Sequence, residues 1–80
     1  MKLYMYKDYN YTIYFEDILA SIEKINRYVD NYSFNDLIED DMRVDAVIRN
    51  LEIIGEAAGE IPQEIRDKYP NIEWRKIIGL

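Results

Sequence analysis

Eighty residues with a net charge of −6, no cysteine and no histidine bound what this chain can do. Disulfide staples, thiolate or imidazole catalysis and ordinary zinc sites are excluded. The length allows one domain, small enough that folding buries only about 60% of the unfolded surface, so stability has to come from helix packing or self-association.

Met1 to Asp8 holds scattered apolar residues broken by Lys2 and Lys7. This is too short for a signal peptide, and no apolar run approaches the roughly 18 residues of a membrane span. The expectation is a cytoplasmic chain with no membrane segment. Tyr4, Tyr6, Tyr9, Tyr11 and Tyr14 could stack on bases. They lack interleaved basic residues, so packing at a bundle end or dimer surface is the expected role.

From Phe15 the apolar positions Phe15, Ile18, Ile22, Ile25, Val29 and Tyr32 alternate in steps of three and four, one stripe of a helix expected over Asn10 to Asp30. Glu16 and Asp17 near its start complement the helix dipole. Ser33-Phe34-Asn35-Asp36 resembles a capping box with Asp in place of Glu and opens a short helix to about Glu39. Asp40 or Asp41 can cap a second long helix, ending near Glu60, whose stripe runs Val44, Val47, Ile48, Leu51, Ile54 and Ala58. Ala46, Ile53 and Ala57 fall outside that stripe, so this helix is expected to pack against more than one neighbour and to leave apolar surface uncovered.

Gly55 in its interior costs roughly 1 kcal/mol against Ala in helix propensity. A close helix crossing explains it; the alternative is a tolerated Gly without a role. Pro62 suits the first turn of another short helix through Tyr69, which Pro70 ends. Asn71 can cap the last segment, with Trp74 and Ile77 or Ile78 pointing into the core. The whole reads as an all-α antiparallel helical bundle or hairpin over residues 1–80, with two long and two or three short helices.

Charge is placed unevenly. Residues 16–60 carry twelve acids against Lys24, Arg27, Arg43 and Arg49, a net −8, while residues 61–80 carry four bases against three acids. Phosphate backbones are bound by clustered Lys and Arg. The body is therefore a poor nucleic-acid surface, and any RNA contact would draw on Arg75 and Lys76. Glu52 with Glu56, and Glu39-Asp40-Asp41, could be carboxylate metal ligands. Without the Glu-x-x-His pairs of di-iron bundles they read better as solvated faces or caps, and no metal or cofactor is expected.

Tyr14-Phe15-Glu16-Asp17-Ile18-Leu19, then Ala46-Val47-Ile48-Arg49-Asn50-Leu51-Glu52-Ile53-Ile54-Gly55-Glu56-Ala57, then Tyr69-Pro70 and Trp74-Arg75-Lys76-Ile77-Ile78-Gly79-Leu80 resemble, in order and spacing from about residue 11 onward, the HepT family of HEPN-domain proteins. The resemblance implies a mostly antiparallel helical homodimer. It also implies a toxin ribonuclease paired with an MntA-type nucleotidyltransferase antitoxin that adds AMP to a tyrosine.

In the family the Gly-Leu or Gly-Met step is followed by an Arg, four to six residues, and His-x-Tyr. This sequence ends at that step, so it is expected to be a C-terminally incomplete HEPN-like domain with no catalytic residue of its own. RNA would be a ligand only with the catalytic helix present. Asn50 is the closest match to the family's polar cleft residue and Glu56 a weaker one; Arg75 would border the cleft. A solvated or helix-capping role is the alternative for each. Two functions are therefore expected: a HepT-type toxin ribonuclease, inactive as these 80 residues, or a non-catalytic helical interaction module that binds a nucleotidyltransferase antitoxin or a full-length relative.

Overall fold

The computed structural model describes residues 3–80, with side chains from Tyr11 onward. Five helices follow in order: α1 Leu3–Val29, α2 Phe34–Ile38, α3 Asp41–Glu60, α4 Gln63–Arg66 and α5 Trp74–Ile78. The two long helices form an antiparallel hairpin, and α2 and α5 pack on α3. None of the described helices is long and apolar enough to cross a membrane.

Helix α1 begins earlier than the expected Asn10, because Leu3 to Tyr9 contains no Gly or Pro to stop it. It ends where Asn31 adopts the left-handed conformation (φ 64°), which Asn tolerates better than most residues. Tyr4, Tyr6 and Tyr9 lie outside the described side chains. Tyr11 packs edge-on against Phe15, with ring centroids 6.2 Å apart.

Side-chain caps start α2 and α3. The Ser33 hydroxyl accepts from the Asp36 N–H at 3.1 Å, starting α2. Asp40 caps α3 by accepting from the Arg43 N–H at 3.1 Å. That backbone bond, helped by the Arg43 guanidinium, holds the Asp40 carboxyl below its ordinary value of 3.8 despite opposing desolvation.

The core is small and centred on the C-terminal half of α3, where Ile54, Ala57, Ala58 and Ile61 are buried. Ala57, expected to lie outside the stripe, is buried with it. The α1 contact line is also rotated from the expected one. Ser21 is 3% exposed while Ile22 is largely in solvent, and the half-buried or buried positions Tyr14, Ile18, Ser21, Ile25 and Tyr28 form the heptad-spaced seam. A serine at the seam lets the two helix axes approach, which a larger residue would prevent. In α3 Ile48 is likewise displaced from the stripe and stands 48% exposed.

Gly55 sits at a close crossing of α3 and the end of α5. A Cβ there would lie 3.2 Å from the carbonyl oxygens of both Ile77 and Ile78. This agrees with the expected helix crossing.

Three expectations for the C-terminal quarter need correction. The fourth helix stops at Arg66 rather than Tyr69, with Pro62 at its N-cap, and turns carry the chain to Pro70. Helix α5 starts from Glu73, not Asn71, and has no side-chain cap. Trp74 is half-buried rather than in the core, because its indole N–H donates to the Tyr69 carbonyl at 3.1 Å near the surface.

Candidate functional site

Two arginines tie helix ends together, Arg43 across the hairpin and Arg66 between α4 and the end of α3, and apolar periodicity does not single them out. Arg43 lies in the first turn of α3, where a cation is opposed by the helix dipole. Its Nη1 donates to the Tyr28 carbonyl at 2.9 Å, its Nε to Asp40 at 3.2 Å, and its guanidinium lies 4.2 Å from the Tyr32 ring centroid. It thereby satisfies an end carbonyl of α1 while holding the start of α3 against it. Arg66, in α4, satisfies carbonyls at the other end of α3: Nε donates to the Ile61 carbonyl at 2.9 Å and Nη2 to that of Gly59 at 3.0 Å. The misplaced charge of Arg43 was the signal available in sequence.

The Tyr28–Arg43 contact also sets the level of the antiparallel pair. Two turns further from that contact along each helix, seven residues, bring Ser21 level with Asn50. Asn50 is 6% exposed, and its Nδ2 donates to the Ala46 carbonyl at 2.8 Å. Reversing the amide would set oxygen against oxygen, so the orientation is determined by chemistry. Its Oδ1 is buried and has no protein partner among the described residues. An unsatisfied buried acceptor costs about 1–3 kcal/mol. Asn50→Leu is therefore expected to raise stability by about 1 kcal/mol, or roughly 4–8 °C in melting temperature. A loss of stability in urea unfolding would show that Oδ1 is satisfied in solution.

Two clefts flank α5, and Ile78 lines both. The larger, about 760 Å³, lies between α3 and α5 over Gly55 and Gly59, with Glu52, Glu56, Glu60 and Arg49 around it. Arg49 Nη1 stands 3.6 Å from Glu52 and 3.9 Å from Glu56. Three carboxylates against one guanidinium make this an acidic wall. The second, about 410 Å³, is lined by Gln63, Arg66, Asp67, Pro70, Trp74 and Arg75. Here two guanidinium groups face one carboxylate, and Asp67 accepts from Gln63 Nε2 at 2.8 Å.

The three residues matched to the family cleft are thus not brought together. Asn50 is buried and bonded to its own helix, while Glu56, six residues on and about 240° round the helix, lines the acidic cleft. Arg75 borders the basic one. Among the described residues no His, Cys, Asp and Glu side chains gather as metal ligands would.

A long helical hairpin with short helices folded over one end, and clefts of ligand size on either side of the last of them, defines an all-α protein of the helical-bundle class. The HepT-like ribonuclease family model matches residues 18–80, and the chain belongs to that family. It is 39% identical over 67 residues to the protein named "Putative RNase TTE0752" of Caldanaerobacter subterraneus subsp. tengcongensis, covering 84% of this chain and 60% of that protein. It is 42% identical over 64 residues to "Probable ribonuclease HepT" of Thermococcus cleftensis, covering 80% of this chain and 58% of the relative. The chain therefore spans about three-fifths of the length of these relatives. No solved structure gives a significant match.

Proposed function

We propose that these 80 residues are the helical scaffold of a HepT-type toxin ribonuclease and hold no self-sufficient hydrolytic centre. Family membership carries this reading. Metal-independent RNA cleavage needs a group titrating near neutrality to move the 2′-hydroxyl proton and a cation to steady the developing charge. A chain without histidine offers carboxylates and tyrosines, which serve that step poorly. Its cytoplasmic partners in this reading are a second copy of the chain and an MntA-type nucleotidyltransferase antitoxin.

Cleavage of a labelled RNA in EDTA tests the proposal. The 80-residue protein is expected to show none above buffer. A chimera that continues after Leu80 with the corresponding residues of the Thermococcus cleftensis relative is expected to cut. A folded chimera that leaves RNA intact, or robust cleavage by the 80 residues alone, overturns the reading.

The interaction-module reading is favoured by one observation. Leu19 and Ile22, one turn apart on α1, are 66% and 42% exposed, and Ile48 on α3 is 48% exposed; uncovered apolar surface of this kind marks interfaces. Sedimentation is expected to show a homodimer. A well-folded monomer at micromolar concentration would count against it.

A further inference from the structure

We propose that the cleft beside α5 is a single-stranded RNA subsite in which one base stacks on the Trp74 indole and the adjoining phosphate rests on Arg75. The proposal rests on the ribonuclease reading above and names where that scaffold would hold its substrate.

Charge distinguishes the two clefts. Of the two clefts flanking α5, the α3 side presents three glutamates and one arginine and repels a polyanion. The other presents Arg66 and Arg75 against Asp67. Its volume of about 410 Å³ lies within the range of small-molecule sites and can admit one nucleotide.

The wall is also built rather than loose. The Trp74 ring is held by its N–H bond to the Tyr69 carbonyl. Arg66 is anchored by two carbonyls at the end of α3. Arg43, Arg49 and Lys76 are each engaged by a carboxylate, whereas Arg75, exposed at the mouth, makes no ion pair among the described residues. A fixed aromatic face beside an unengaged guanidinium is the pairing that sequence-tolerant single-strand sites use, with stacking worth about 1–3 kcal/mol per base.

Trp74 is the single tryptophan of the chain, so its emission reports this cleft alone. The experiment titrates the 80-residue protein, at about 20 mM salt, with a hexameric oligoadenylate RNA. Binding is expected to quench the emission. Arg75→Ala should weaken affinity about tenfold and lower the salt slope by about one. Arg49→Ala, which removes equal charge from the acidic cleft, should leave affinity unchanged. Trp74→Phe, followed by anisotropy of a labelled oligonucleotide, should still bind.

An unquenched wild-type protein with its helicity intact overturns the proposal. Equal weakening by Arg49→Ala and Arg75→Ala, or equal quenching by polyglutamate, does so too. The outcomes also separate from those for the ribonuclease reading. No quenching with an active chimera removes only this subsite, while quenching with an inactive chimera leaves a nucleotide site and removes the ribonuclease.

Discussion

Ile61→Ala is expected to lower the melting temperature by at least about 10 °C in a circular-dichroism melt. Ile61 is 1% exposed and the largest fully enclosed side chain among the described residues. Removing such a side chain costs about 2–5 kcal/mol, through lost transfer energy and the cavity left behind. A domain of this size shifts roughly 4–8 °C per kcal/mol, and total stability is on the order of 5–15 kcal/mol. The site has little capacity to relax, because the Ile61 N–H donates to the Ala58 carbonyl at 3.2 Å and its own carbonyl is held by Arg66. A drop of only a few degrees would mean that the core lies elsewhere.

Gly55→Leu carries the second large effect, and it is local. Even a methyl group at position 55 meets two carbonyl oxygens at 3.2 Å and the Leu80 carbonyl carbon at 3.4 Å. A branched side chain cannot fit unless the end of α5 moves away. Within α3 itself the substitution is favourable, since Gly is the poorer helix former by about 1 kcal/mol. The hairpin is therefore expected to keep its hydrogen-exchange protection while the amides of Ile77 to Leu80 fall to about that of an unstructured peptide. Retained protection at Ile77 and Ile78 would refute the close approach. Because Trp74 and Arg75 ride on the same helix, the variant should also lose oligonucleotide quenching.

Much of this architecture was legible from periodicity and capping. Ser33 caps where its hydroxyl predicts, Asp40 is the one of the two candidate aspartates that caps α3, and Gly55 inside α3 marks a real crossing. What the pattern misplaced is the rotation of the seam. Hydrophobic spacing ranks Ile22 above Ser21 and Ile48 above Asn50, but axis separation favours the small residue, and a polar side chain can enter an interface when its helix supplies a carbonyl. Neither preference is written in an apolar stripe. The end of the chain departs from the pattern for a related reason: size makes Trp74 an expected anchor, yet its N–H needs an acceptor, and the available one lies near the surface. The family cleft residues could be matched by position in the chain, but position does not tell which side of α3 a residue faces. Asn50 and Glu56 consequently point to different surroundings.

The Arg43 bond to the Tyr28 carbonyl spans only fifteen residues. Contacts so near in the chain are cheap to close and favour fast folding. Assembly should therefore start at the turn between the long helices and zip toward their far ends, with α5 settling last. On a ribosome, the hairpin can already stand before Trp74 emerges.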